Sequence, residues 1–96
     1  MTPRENGGKA RKLILMNGRW GHDNGQHIYI AAYSKADAAR ILNGLQEHIN
    51  GDWHGWLYEI NKYFNKGVWG NKMDGIKPER GAWVTESYGT RPRKVS

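Results

Sequence analysis

Apolar positions in residues 27–45 change their spacing partway along the segment. In its first part, Ile28 and Ile30 alternate with Tyr29, and Tyr33 continues the second face after two alanines. A period of two in β-branched and aromatic residues is typical of a strand that is buried on both faces. The pattern therefore predicts a central strand at the start of this segment.

The rest of the segment has the period of an amphipathic helix. Ser34 can cap its N-terminus, and Asp37 can return a hydrogen bond and favour the positive end of the helix dipole. One apolar stripe repeats at helical spacing: Ala38, Ile41, Leu42, Leu45 and Ile49. The opposite face, which we expect to point to solvent, holds Asp37, Arg40, Gly44 and Glu47.

A further strand is predicted just upstream. Residues 13–16 form a short apolar run, and residues 17–26 contain two Asn-Gly pairs of the kind that form hairpin turns. We expect this run and the central strand to pair antiparallel across the loop. Trp20 lies in the middle of the loop, where it either folds back over the sheet or binds a partner.

Downstream, apolar residues recur at helical spacing in residues 53–64, with Asp52 as the N-cap and Gly67 at the C-terminal end. A strand in residues 56–66 is the alternative, because Trp56, Tyr58 and Ile60 also alternate; we prefer the helix.

The last third of the chain predicts little regular structure. Residues 68–80 predict a long loop, and residues 81–88 predict a third strand. Residues from 89 onward form either an edge segment or a loose tail.

These elements define an α+β fold: a small antiparallel sheet of about three strands with two helices packed on one face. The length allows one domain, which we place at residues 13–88. Residues 1–12 are then a flexible basic N-terminal segment, and residues 89–96 are a basic C-terminal segment.

The distribution of charge and the absence of cysteine bear on the cellular compartment in which the protein works. The net charge of +6 comes from the two ends, because residues 13–88 hold equal numbers of basic and acidic residues. There is no cysteine, and no apolar run has the length of a membrane span. We expect a protein of the reducing cytoplasm.

Catalytic and metal-binding patterns are weak. Two His/Asp clusters occur, at residues 22–27 and 48–54, but neither has the spacing of a metal site. No nucleophile elbow and no phosphate-binding glycine loop is present. We therefore expect no enzyme activity, no cofactor and no metal.

Nucleic-acid binding is one possible function. Aromatic residues that can stack on bases, among them Tyr58, Tyr63 and Trp69, are interleaved with basic ones. The basic candidates are Lys62, Lys66, Lys72, Lys77, Arg91 and Arg93.

Protein binding is the other. Trp, Met and Arg are enriched at the centres of interfaces, and loops as long as residues 65–80 commonly carry function. The candidate partner-binding residues are Trp69, Met73, Ile76 and Arg80, together with Trp20. The alternative is that Trp69 and Ile76 simply fill the core.

Three segments resemble those of small proteins encoded by bacteriophages and prophages: LMNGRW, IYIAAYSKADAARIL and YFNKGVWGNKMDGIKPERGAWV. Such phage accessory proteins include inhibitors of host defence, anti-CRISPR proteins among them. The resemblance implies a non-enzymatic viral protein that binds and inhibits a host protein, in the cytoplasm of the infected bacterium. A small nucleic-acid-binding protein is the alternative.

Overall fold

The computed structural model describes residues 12–20, 26–45, 56–85 and 91–96. Two α-helices and five strands lie in these ranges, with one 3₁₀ turn at Asn71–Met73. In chain order the elements are β1 (Ile14–Trp20), β2 (Gln26–Ala32), α1 (Lys35–Asn43), α2 (Trp56–Tyr63), β3 (Asn65–Lys66), β4 (Gly81–Val84) and β5 (Arg93–Lys94).

The five strands form one antiparallel sheet in the order β3-β1-β2-β4-β5. The α+β class and the antiparallel pairing are confirmed, but the expected number of about three strands is wrong. The two additional strands, β3 and β5, are two residues long and lie at the edges. A pair of residues is too short to show a period of two, so the sequence pattern does not reveal them.

Strands β1 and β2 pair antiparallel as predicted, from Ile14 opposite Ala32 to Trp20 opposite Gln26. However, β1 continues through residues 17–20, which the sequence assigns to the loop. Gly18 explains the difference: a β-carbon at this position would lie 2.8 Å from the Phe64 ring. The glycine therefore admits an aromatic ring against the strand and does not form a turn.

One face of the sheet is covered by both helices. Ile28, Ile30 and Met16 of the sheet pack against the predicted apolar stripe of α1, against Ile60 of α2 and against Phe64, the residue after that helix. The stripe is confirmed at Ala38, Ile41, Leu42 and Leu45, whereas Ile49 lies outside the described residues.

The N-terminal cap of α1 is also confirmed, because the Ser34 hydroxyl accepts a hydrogen bond from the Asp37 N–H at 3.0 Å. On the face that we expected to be exposed, Arg40 and Gly44 are exposed, but Asp37 is buried. Its carboxylate accepts from the Tyr33 N–H at 3.0 Å and from Arg80. Glu47 of the same predicted face lies outside the described residues.

The helical interpretation of residues 56–63 is confirmed, but the predicted helix end is wrong. α2 ends at Tyr63, and β3 follows before Gly67 is reached. Gly67 has a φ of 100°, and its N–H donates to the Leu15 carbonyl at 2.7 Å. The glycine thus turns the chain away from the sheet edge and does not cap the helix. Asp52 and Trp53 lie outside the described residues.

The second face of the sheet is covered by residues 67–80, a segment without regular structure except for the 3₁₀ turn. Its apolar side chains pack on the outward residues of β2 and β4, in a cluster made of Tyr29, Ala31, Trp69, Met73 and Trp83. Strand β2 is therefore buried on both faces, as its alternation predicts.

At the other edge, the chain end forms an edge segment and not a loose tail. β5 pairs with β4, and the Val95 N–H donates to the Ala82 carbonyl at 2.9 Å. Part of the basic segment 89–96 thus belongs to the sheet. Residues 1–11 of the basic N-terminal segment lie outside the described part of the chain.

Glu59 of α2 is completely buried, and neither of its carboxylate oxygens has a hydrogen-bond partner among the described residues. Removing a polar group from water without replacing its hydrogen bonds is unfavourable. The carboxylate therefore reduces the stability that α2 gains from packing.

Replacing Glu59 with an apolar residue of similar length should stabilise the fold. We expect Glu59→Met to raise the free energy of unfolding by about 1–3 kcal/mol in chemical denaturation. The control is Glu79→Met, which removes an exposed carboxylate paired with Lys94 at 3.3 Å and should have little effect. A less stable Glu59→Met variant would show that the carboxylate stabilises the fold.

Candidate functional site

Trp69 and Met73, the centre of the predicted partner-binding set, are core residues. Trp69 is 7% exposed, and its indole N–H donates to the Ile30 carbonyl at 2.8 Å. Its ring meets Trp83 edge-on, with ring centroids 5.0 Å apart. Trp69 and Met73 therefore present no surface to a partner. For Trp69, the alternative prediction that it fills the core describes its position.

Of the remaining members of that set, Ile76 and Arg80 also make contacts within the fold. Ile76 is partly buried against the second-face cluster. Arg80 donates three hydrogen bonds to Asp37, from Nη2 to Oδ1 at 2.6 Å and from Nε to Oδ2 at 2.9 Å and to Oδ1 at 3.2 Å. This bidentate pair ties the end of the loop to the N-terminus of α1. The side chain of Trp20 lies outside the described part of the structure.

The electrostatics of this ion pair follow from its geometry. The hydrogen bonds from Arg80 lower the pKa of Asp37, and the bond from the Tyr33 N–H lowers it further, although burial acts in the opposite direction. The same contact raises the pKa of Arg80. Arg80 therefore has a structural role that its position in a polar loop does not reveal.

The predicted nucleic-acid-binding residues are exposed but dispersed. Lys66 lies in β3 and Arg93 in β5, at opposite edges of a five-stranded sheet, roughly 19 Å apart at the usual strand spacing. Lys72 and Lys77 belong to the segment that covers the second face. Arg91 precedes β5. The set therefore does not form one continuous basic track across the described part of the domain.

The structure instead brings exposed apolar and basic side chains together on α2. Leu57, Tyr58 and Tyr63 are 45–51% exposed, although Ile60 of α2 and Phe64, directly after the helix, are buried in the core. Lys62 is exposed between the two tyrosines. We call these four residues, Leu57, Tyr58, Lys62 and Tyr63, the α2 outer face.

Lys62 is held in place by both rings of this face. Its ammonium donates to the Tyr58 hydroxyl at 3.0 Å, and it lies 5.4 Å from the Tyr58 ring centroid and 5.5 Å from that of Tyr63. Both distances are within the range of cation–π attraction. The hydrogen bond to Tyr58 raises the pKa of Lys62 and keeps the group positively charged.

The C-terminal end of the same helix is fixed by Lys66, whose ammonium donates to the Asn61 carbonyl at 2.8 Å. The last carbonyls of a helix have no partner within it, so a basic side chain satisfies this one. Sequence reasoning placed Tyr58, Lys62 and Tyr63 only among possible nucleic-acid contacts. The helical spacing of Tyr58 and Lys62, four residues apart and off the apolar stripe, could have identified the exposed pair.

No catalytic or metal-binding arrangement is found in the described residues. No three of their His, Asp and Glu side chains lie close enough to hold a metal ion. His27 stacks on Tyr29, with ring centroids 5.9 Å apart. The other members of the two His/Asp clusters, at residues 22–23 and 48–54, lie outside the described ranges.

Comparisons with protein-family models, curated proteins and solved structures find no match to this chain. Neither helix in the described ranges is long and apolar enough to cross a lipid bilayer.

The burial of Trp69 predicts a large effect of its truncation on stability. Trp69→Ala leaves a cavity in the second-face cluster and removes a hydrogen bond to the central strand. We expect the free energy of unfolding to fall by about 3–5 kcal/mol in chemical denaturation. Val68→Ala, at the exposed neighbouring position, should change it little. Equal effects of the two substitutions would mean that the segment does not cover the sheet as described.

The Asp37–Arg80 pair predicts a pH-dependent contribution to stability. Because the pKa of Asp37 is lower in the folded chain than its ordinary 3.8, the contribution is present above that value. It is lost as the pH falls through the folded-state pKa. Arg80 is half exposed, so solvent screening limits the contribution to about 1 kcal/mol.

We therefore expect Arg80→Met to lower the free energy of unfolding at neutral pH, with the difference from wild type shrinking as the solution becomes acidic. Urea denaturation across the acid range measures both effects. Lys77→Met, which removes an exposed positive charge from the same segment, is the control. A difference that stays constant with pH would exclude an ionised Asp37 as the partner.

Proposed function

We propose that this protein acts without catalysis, by binding another protein through the α2 outer face. The observation that carries the proposal is the exposure of three large side chains on α2, Leu57, Tyr58 and Tyr63, with Lys62 held between the two tyrosine rings. The core on the helix side is filled by residues of the sheet and of α1 together with Ile60 of α2 and the adjacent Phe64, so packing in this core does not account for these four. Tyrosine is enriched at the centres of protein interfaces, where it supplies contact area with few rotatable bonds.

We further propose that the partner is a host protein and that binding inhibits it, as for a phage accessory protein directed at a defence component of the CRISPR type. The support for this step is the resemblance of three sequence segments to phage and prophage proteins. A small domain can block a larger protein by covering its working surface, and this requires no active site of its own.

Nucleic-acid binding remains the second candidate, because a lysine beside two tyrosine rings can contact a phosphate while the rings stack on bases. The dispersal of the other basic residues argues against it, since phosphate-binding proteins gain affinity from several contacts along the backbone. The two candidates differ in salt dependence. Phosphate binding weakens steeply with added salt, whereas an interface centred on aromatic residues changes less.

Affinity capture tests the proposal. The tagged wild-type protein is mixed with a bacterial host lysate, with and without nuclease treatment, and the captured partner is purified for titration at low and moderate salt. We expect Tyr58→Ala to lower the affinity for that partner at least tenfold, about 1.4 kcal/mol, because a tyrosine contact is lost at the interface centre.

The matched control is Tyr33→Ala, which truncates a tyrosine that is 38% exposed outside α2. It should leave the affinity unchanged. Melting temperatures measured on the same preparations establish that both variants are folded. Equal affinities of the Tyr58 and Tyr33 variants would reject the α2 outer face as the interface. Loss of capture after nuclease treatment would favour the nucleic-acid candidate.

A further inference from the structure

Building on the proposed function, we propose that the surface recognised by the α2 outer face is acidic, with a carboxylate of the partner bound by the Lys62 ammonium between apolar contacts. Three features of the structure support an acidic partner: the contacts that hold Lys62, the charges around it and the side chains that border it.

The Lys62 side chain is oriented by its contacts with the two tyrosines. Its ammonium has three N–H donors, and one of them bonds to the Tyr58 hydroxyl. The two tyrosine rings attract the positive charge without neutralising it. The donors that remain can therefore bind an external acceptor. Because the side chain is already ordered, binding an acceptor loses less conformational entropy than it would for a mobile lysine.

The charged residues described around Lys62 favour a negative group on the partner. Among the described residues, no carboxylate pairs with Lys62, and the one acidic residue of α2, Glu59, is completely buried. Lys66 adds a second positive charge at the end of the same helix. The described charges on the exposed side of α2 are therefore positive, and a partner surface that complements them is negative.

The groups that border Lys62 favour a protein carboxylate over a nucleic-acid phosphate as its partner. A single ammonium flanked by the rings of Tyr58 and Tyr63 has an apolar border that can exclude water from one ion pair. A nucleic-acid backbone instead needs a series of basic groups along its path. Of the other basic candidates, Lys66 alone is placed beside α2, whereas Arg93 lies at the opposite sheet edge and Lys72 and Lys77 belong to the segment over the second face, so these observations favour an acidic protein surface.

A binding experiment with defined probes tests the inference. The full chain, labelled with ¹⁵N, is titrated with a short peptide of alternating glutamate and leucine, a matched peptide of glutamine and leucine, and oligothymidylate. We expect the acidic peptide to shift the amide resonances of residues 57–63 at a concentration at which the glutamine peptide does not.

Substitutions assign the effect to Lys62. Lys62→Met keeps an unbranched side chain of similar length and should weaken acidic-peptide binding at least tenfold. Tyr58→Phe keeps the ring but removes the hydroxyl that orients the ammonium, and we expect an intermediate loss. Lys77→Met removes an exposed lysine outside α2 and should bind the peptide like wild type. Amide spectra of each free variant establish that the fold is kept.

The possible results separate this inference from the proposed function. Equal binding of the acidic and glutamine peptides at residues 57–63 would overturn the acidic partner but keep a protein-binding face. Oligothymidylate binding that is lost steeply with salt, without peptide binding, would overturn both. Wild-type affinity in Lys62→Met, or no shift at residues 57–63 with any probe, would also overturn the inference.

Discussion

Burial of β2 on both faces is the constraint on which the rest of the structure depends. Ile28 and Ile30 point to one side of the sheet, and Tyr29 points to the other. A chain of 96 residues must therefore cover both sides of one strand with a small number of side chains. The two helices cover the first side, and the irregular segment of residues 67–80 covers the second. Coverage by a loop is possible because Trp69 and Met73 supply large apolar areas from few residues.

Elements whose periodicity is local could be predicted from the sequence. The alternation in β2, the Ser34 cap and the apolar stripe of α1 all lie within a few residues of one another, and each is found in the structure. β3 could not be predicted, because it exists only through pairing with β1, which is remote in sequence, and for β5 the sequence left an edge segment and a loose tail open. Gly18 shows the same limit: its role depends on Phe64, which is remote in sequence.

The candidate site was harder to predict for a related reason. Tryptophan, methionine and arginine are typical both of interface centres and of the residues that tie a loop to a core. Composition alone cannot separate the two roles of Trp69 and Arg80, since the difference lies in whether Ile30 and Asp37 are close in space. The exposed residues of α2 were more accessible to prediction, because Tyr58 and Lys62 lie one helical turn apart.

Two sets of aromatic residues differ in their position, one buried in the second-face cluster and one exposed on α2. Trp69 and Trp83 are joined in the second-face cluster, so a change in either disturbs the packing of the central strand. Tyr58 and Tyr63 both contact Lys62, on a helix from which Ile60 packs in the helix-side core. Substitutions on the α2 outer face can then change that surface without loss of the fold. The exposed surface of α2 and the two-sided burial of β2 thus depend on different residues.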